Sequence, residues 1–341
     1  MDMKKSDLLQ YIGNQSQLGD CRHYTLSEGW GRGMRATDIN TGSGLQYTVL
    51  PDRGLDISLA SFKGTNLVYL TCNGETHPSY YEPEGIGWLR TFAGGLLTTC
   101  GLTHLGPPVN DDGEQLGLHG RYSTLPAKLY SDLSGWIGDD YNYKVRGIFE
   151  EGFLFGKKLR MEREITSVRG QNLIRISDTI TNFGNTASPY TILYHMNFGY
   201  PLLSEDAELE IDPALTVPRD ADADPGLNEF RNFIKPQPAY TEQVFFHTMK
   251  GDQDGLTTVT LKNRRTGISV TIRFNIKQLP YLAQWKMMGN GEYVLGIEPS
   301  NVLCKSRKTL REENALPVLQ PGETTTNILE IALNEINYYS K

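Results

Sequence analysis

Cysteine is scarce in this chain: Cys21, Cys72, Cys100 and Cys304 are the only four in 341 residues, and no two form a CxxC pair. Disulfide frameworks belong to short, cysteine-dense chains, and zinc sites are signalled by closely spaced pairs, so neither is indicated. Free, mostly buried thiols in a reducing compartment are expected. Positive charge is also in short supply. Lys and Arg number 33 against 40 Asp and Glu, a formal net charge of −7, with the two signs interspersed. Such a chain offers no basic field to nucleic acid or to an anionic membrane surface. No apolar run approaches the length needed to span a bilayer, and Met1–Asp7 leads into too few apolar residues for a signal peptide. The expectation is a cytoplasmic globular protein with neither nucleic-acid nor membrane partners.

Helical periodicity is nearly absent too. One short helix is predicted over Ser6–Ile12, with Ser6 as N-cap and Gly13 just past its end. After it, apolar residues recur with period two between Gly, Asn and Asp. Ile174, Ile176 and Ile180 share one face of Leu173–Ile180. Val259 and Leu261, then Ile268, Val270, Ile272 and Phe274, alternate on either side of Asn263–Gly267, which predicts a hairpin with a five-residue loop. Further strands are predicted at Leu45–Leu50, Asn66–Leu70, Tyr143–Ile148, Lys158–Ile165, Leu209–Ile211, Tyr293–Ile297 and Thr325–Leu333. The 35 glycines and 17 prolines punctuate them at strand-and-turn intervals. Many short strands without a linker or compositional break predict one all-β domain over residues 1–341, a sandwich or barrel. Pro213–Pro238, rich in Pro, Asp and Asn, is expected to be a long surface loop.

No Gly-x-Ser-x-Gly elbow, P-loop or dinucleotide fingerprint occurs. The six histidines lie far apart, so a metal site would have to be assembled from distant strands, and neither a metal nor an organic cofactor is expected. What remains points to sugar chemistry. The apolar run Pro189–Leu193 leads into Tyr194-His195-Met196-Asn197-Phe198, a strand that delivers His195 to an edge or mouth. Imidazole is the side chain best suited to proton exchange near neutrality. Gly117-Leu118-His119-Gly120-Arg121 places a second histidine between glycines. Gly87-Trp88-Leu89-Arg90-Thr91-Phe92 sets an arginine among aromatics, the components of a polar-ligand site. Two carboxylates follow, Glu298 in Gly296-Ile297-Glu298-Pro299 and Glu323 in Pro321-Gly322-Glu323. Each feature has a plain structural alternative: a satisfied core histidine, a turn, a core strand with Arg90 pointing outward, and an ordinary hairpin turn.

Taken together, Leu50–Ile57 (Leu-Pro-Asp-Arg-Gly-Leu-Asp-Ile), Trp88–Leu96, Cys100-Gly101-Leu102, Leu118–Arg121 and Gly296–Pro299 resemble the aldose 1-epimerase (galactose mutarotase) superfamily. The match is to a poorly characterised bacterial branch of it, of the DUF4432 type. The resemblance runs from about Gly13 to Leu333. It implies a large antiparallel β-sandwich of the galactose mutarotase-like kind, with the site in a cleft over one sheet. It also implies that His119 contacts the sugar and that His195, 76 residues later (195 − 119), is the general acid. Arg90 would bind hydroxyls and Glu323 would be the catalytic base. Leu89 stands where the family has an asparagine beside its arginine, which leaves Arg53 a rival to Arg90. The family's substrate-binding aspartate has no counterpart here, and Glu242 or His247 is set against that part of the cleft.

These expectations define an isomerase that interconverts sugar anomers. Glu323 would take the proton of the anomeric hydroxyl and imidazolium His195 would protonate the ring oxygen, with Trp88 packing against the ring. The partner is a small sugar or sugar derivative, and a homodimer is the self-association state allowed for. One rival pairs Glu298 with Glu323 for an isomerase or lyase reaction on a sugar acid held by Arg90 or Arg53. Another is a carbohydrate-binding or sensing protein without turnover. The leading assignment depends on Glu323 lying near His195, because without that partner the histidine reverts to a binding role; which of Glu298 and Glu323 is the base stays open.

Overall fold

Strands account for nearly half of residues 3–336, the part of the chain that the computed structural model describes. They form antiparallel sheets of nine, six and five strands, with two further two-stranded ribbons. The period-two pattern is the cause. Every second residue is buried along Lys158–Val168 and Leu173–Asn182, as expected for a sheet with one face on the core. These strands lie in the nine-stranded sheet beside Asp140–Gly152, Thr324–Glu335, Ile268–Asn275 and Leu256–Asn263. The predicted hairpin is present, with Asn263 opposite Ile268. Its loop is one residue shorter than expected because Asn263 closes the ladder. The Asn263 side chain accepts the N–H groups of Arg265 and Thr266 at 2.8 and 3.1 Å.

The sheets share one core, which makes the architecture the expected all-β sandwich. Ile165, Ile176, Leu329 and Ile331 of the nine-stranded sheet belong to the same buried cluster as Tyr194, Met196, Leu295 and Ile297 of the six-stranded sheet. Val49 and Ile57 of the five-stranded sheet join it. A buried ion pair crosses this core. Arg163 meets Asp178 at 2.7 Å and Asp56 of the five-stranded sheet at 2.8 Å. Asp178 also accepts the Tyr194 hydroxyl at 2.8 Å, so all three sheets are tied at one point.

The six-stranded sheet runs in the order Pro213–Pro218, Gln243–Met249, Tyr281–Met288, Tyr293–Ser300, Thr191–Phe198, Thr98–Leu102. Its central strands are covered on both faces: every residue of Thr191–Phe198 and of Tyr293–Ser300 is buried. Ile192, Tyr194, Met196 and Phe198 enter the main core. Leu193 turns to a second cluster with Trp88, Phe92, Val244, Phe246 and Ala283, and this opposite face carries the candidate site.

Three expectations need correction. The N-terminal helix is shorter, Lys5–Leu8, and starts after Lys4 without a side-chain cap. Ser6 lies inside it and bonds the Asp7 carboxylate at 3.2 Å. Asn66–Leu70 is mostly not ladder: the strand ends at Asn66, and Val68 and Leu70 make isolated bridges to Phe198 and Gly94. Pro213–Pro238 is not all loop, since Pro213–Pro218 pairs with Gln243–Met249. Its prolines are tolerated because that strand is the sheet's edge, where a missing N–H costs no ladder bond. No helix among the described residues is long and apolar enough to cross a membrane. All four cysteines are free, Cys100 buried and Cys72 exposed.

Candidate active site

His195 sits in the middle of its strand, between two neighbours, rather than at an edge or mouth. Leu193 pairs with Ser300 and Met196 with Ile297, and that register sets His195 beside Glu298 on the adjacent strand. Cross-strand neighbours on one sheet face lie within contact distance, and His195 Nε2 is 3.3 Å from Glu298 Oε1. Gly296 makes this possible. A Cβ at Gly296 would fall 2.3 Å from Glu298 Oε1, so the glycine two residues earlier on the same face leaves the carboxylate its space. Asn197 braces the strand by donating to the His195 and Gly95 carbonyl oxygens at 3.0 and 3.1 Å.

Over this couple lies a cavity of about 640 Å³. Its walls include Trp88, Phe92, His119, Phe246, Trp285 and Glu298. Trp88 stacks on Phe92, with centroids 4.5 Å apart at 21°, and donates its indole N–H to Ser123 at 3.1 Å. His119 stands edge-on to Trp88 at 4.7 Å and to His195 at 5.8 Å. The His119 backbone has φ 59°, and its flanking glycines fit close to other backbone. A Cβ on Gly120 would meet the His104 carbonyl oxygen at 2.2 Å, and one on Gly117 the Pro83 carbonyl oxygen at 2.2 Å. The glycines therefore serve chain packing rather than ligand approach.

The electrostatics follow from burial. His195 is held down to about 4 by loss of solvent. His119 lies well below its ordinary value, first through burial and then through the neighbouring His195 and His104. Glu298 is raised well above the carboxylate range by burial and then by nearby Glu242, against an opposing pull from Arg219. Loss of water disfavours the charged form of each group. Burial thus favours the uncharged form of each member of the couple, lowering His195 and raising Glu298. His195 Nδ1, His119 Nδ1 and Glu298 Oε1 are buried without an aligned hydrogen-bond partner in the protein. Buried polar atoms of this kind normally find a partner, and all three belong to residues that line the cavity.

The cavity continues into a second lobe of about 980 Å³ that shares Leu89, Phe92, Glu242 and Trp285 with the first. Glu82, Glu84, Arg90 and Glu292 line this outer part. Glu242 stands at the junction, bonded to Arg219 at 2.9 Å and accepting the Trp285 indole N–H at 2.9 Å.

The structure brings together His195, His119, Trp88 and Glu298, with Glu242 at the rim. It does not bring in the rest. Glu323 is on an exposed turn, where its carboxylate accepts the Gln320 N–H at 2.7 Å and does not line the cleft. The turn chemistry of Pro321-Gly322 explains that glutamate locally. Arg90 is an outer-lobe residue, paired with Glu82 at 3.1 Å. Arg53 is buried elsewhere and donates to the Thr76 carbonyl oxygen at 2.6 Å. His247 points to the opposite sheet face, between Thr216 Oγ1 at 2.9 Å and Gln284 Oε1 at 3.1 Å. It is the satisfied core histidine that the plain alternative describes. The carboxylate pair of Glu298 with Glu323 does not form. Trp285 and Arg219 were missed, although Trp285 lies two positions after Ala283 on an alternating strand, a usable signal for a shared face.

A family model described as "Domain of unknown function (DUF4432)" matches residues 31–333. No curated protein matches the chain. Among solved structures, a "putative aldose 1-epimerase" from Klebsiella pneumoniae is 26% identical, with a TM-score of 0.89 over 97% of this chain and 86% of that one. A galactose mutarotase-like protein from Clostridium acetobutylicum superposes with a TM-score of 0.65 at 11% identity, over 94% of this chain and 100% of that one. A galactose 1-epimerase from Lactobacillus acidophilus does so at 0.60 and 11%, over the same shares. At that identity the last two show the fold alone.

Proposed function

Because the chain belongs to the DUF4432 family and shares its fold with aldose 1-epimerase-like proteins, we propose that it interconverts sugar anomers, with His195 and Glu298 transferring the protons. The observation that carries this is the buried couple itself: an imidazole and a carboxyl group 3.3 Å apart under an aromatic-walled cavity. Two titratable groups whose surroundings set opposite tasks are the usual mark of an acid–base pair.

The directions in which burial moves the two groups, His195 down and Glu298 up, support roles that reverse those the family resemblance implies. Neutral His195 takes the proton of the anomeric O1 hydroxyl while the Glu298 carboxylic acid gives its proton to the ring oxygen. The C1–O5 bond breaks, leaving an open-chain aldehyde, an imidazolium and a carboxylate. Rotation about C1–C2 presents the other face of the carbonyl. O5 then attacks C1, returns its proton to Glu298, and the new O1 takes the proton from His195. The charged intermediate places imidazolium beside carboxylate in a site screened from water, where their attraction is strong. Trp88, Phe92 and Trp285 offer apolar faces to the C–H surfaces of a ring, and His119 Nδ1 supplies a hydrogen-bonding position.

A neutral sugar fits better than a sugar acid. The cations along the inner cavity, Arg219 and Lys305, are already paired with Glu242 and Glu313 at 2.9 and 2.7 Å. Polarimetry of freshly dissolved anomers, run over a panel of neutral sugars and uronates, tests the assignment. His195→Ala and Glu298→Gln should each lower the rate constant on the best substrate by about 10²–10⁴-fold, and Glu323→Gln should leave it unchanged. Wild-type rates in both cleft variants overturn the assignment. Saturable binding without acceleration of any anomeric exchange leaves a binding protein in its place.

A further inference from the structure

A second group of reactive side chains lies away from the cleft, where the edge of the five-stranded sheet meets the nine-stranded one. Asp20–Thr25 is that edge strand, and its period of two points Cys21 and His23 to the same face. Asp132 arrives from the other sheet, at the end of Leu129–Asp132. His23 Nε2 is 2.9 Å from Asp132 Oδ2 and 3.9 Å from Cys21 Sγ. The three donor atoms all lie within 4.8 Å of one another. Thiol and carboxylate converge on the same ring nitrogen, so this is no linear proton relay of the Cys-His-Asp kind, which needs both nitrogens.

The remaining atoms of the group are held from behind. His23 Nδ1 is 2.9 Å from Thr37 Oγ1, which is in turn 2.6 Å from the Tyr130 hydroxyl. Asp132 Oδ1 accepts the Ser134 N–H at 2.8 Å, which leaves Oδ2 to face the histidine. An imidazole fixed through one nitrogen and a carboxylate fixed through one oxygen form the outer arrangement typical of metal ligands. A tetrahedral zinc with bonds of roughly 2.0–2.3 Å holds its ligand atoms roughly 3.3–3.8 Å apart, so the observed spacings need adjust by at most about an ångström.

We propose that Cys21, His23 and Asp132 bind one zinc-class divalent transition-metal ion, which pins the edge of the five-stranded sheet to the nine-stranded sheet. The donor set selects the class. Thiolate and imidazole favour a borderline-soft ion, and one carboxylate with no other oxygen cage does not suit calcium or magnesium. The fourth position opens to solvent, since His23 is exposed, and a water molecule completes the tetrahedron. A bound dication supplies the charge that releases the Cys21 thiol proton.

Cobalt(II) is the probe, added to the reduced, chelator-treated full chain. The expected result is one cobalt per chain, with a sulfur-to-metal charge-transfer band in the near ultraviolet and visible bands of four-coordinate cobalt. Zinc(II) should displace them and raise Tm. Cys21→Ser should remove the charge-transfer band, and Thr37→Val should weaken binding about 10–100-fold. Cys72→Ser should bind as the wild type. Circular dichroism verifies the fold of each variant, and His23→Gln, altered at an exposed side chain, repeats the test should Cys21→Ser misfold. Absence of the band in the wild type, or its persistence in folded Cys21→Ser or His23→Gln, overturns the proposal.

Discussion

Gly296 shows how much of the site depends on an atom that is not there. Its missing Cβ leaves room for Glu298 Oε1 on one side, and for Trp285 Cβ, which a new methyl group would approach to 2.9 Å. Gly296→Ala should therefore turn the Glu298 carboxylate away from His195 while leaving the strand paired. A misplacement of about 1 Å at reacting groups costs on the order of 10²-fold. The expected outcome is a loss of that size in the anomerisation rate constant, with a far-ultraviolet circular dichroism spectrum like the wild type. A rate within twofold of wild type sinks the steric account. Glu298 was legible in the sequence as a candidate, through the acidic Gly296–Pro299 stretch that carries part of the family resemblance. Glu323 misled for a local reason. Pro-Gly-Glu is sufficient for a turn, and the turn, with Gly322 at φ 78°, uses the carboxylate for itself. Burial places Glu298 in the cleft and leaves Glu323 on the surface, and a short motif carries no information about burial.

Strands with one wet face were easy to read, because alternation names the face; the expected Lys158–Ile165 lies inside Lys158–Val168, where every second residue is buried. Strands buried on both faces were harder. Thr191–Phe198 lacks alternation, so its apolar start looked like the approach to an edge, whereas it is an interior strand between Thr98–Leu102 and Tyr293–Ser300. Its position is fixed from behind by the buried pair of Arg163 and Asp178, which accepts the hydroxyl of Tyr194, the residue before His195. Pairings of this kind join residues distant in sequence and leave no local trace. Arg163→Leu removes the only cation that faces both Asp178 and Asp56 among the described residues. Removing one partner of a buried pair strands the other charge and costs about 3–5 kcal/mol. Denaturant unfolding should register that loss, and the rate constant should fall with it as Tyr194 and its strand lose their anchor. A loss below about 1 kcal/mol shows that the pair is dispensable.

Across the whole molecule, the buried imidazoles set the response to acid. His104, His195 and His247 are each held down from 6.5 to about 4, mainly by burial, and His119 is lowered as well. Between those values the unfolded chain binds protons that the folded chain refuses. Folded-state stability is therefore complete above 6.5 and drains as pH falls through about 4, by about 1.4 kcal/mol per pH unit for each imidazole. Two carboxyls act in the opposite sense. Asp56, raised by burial from 3.8 to about 6 despite Arg163, and Glu298, also raised, favour the folded state at low pH and lose that contribution as pH rises. Four groups against two leave the histidines dominant. Tm should fall steadily from pH 7 to pH 4.5. His104 gives the cleaner test, because neither of its ring nitrogens has an aligned partner and it stands outside the cleft lining. His104→Leu should match or exceed wild-type stability at pH 7 and flatten the acid limb by about one imidazole's share. A Tm independent of pH across that window, or an acid limb unchanged in His104→Leu, shows that these imidazoles are not held neutral by the fold.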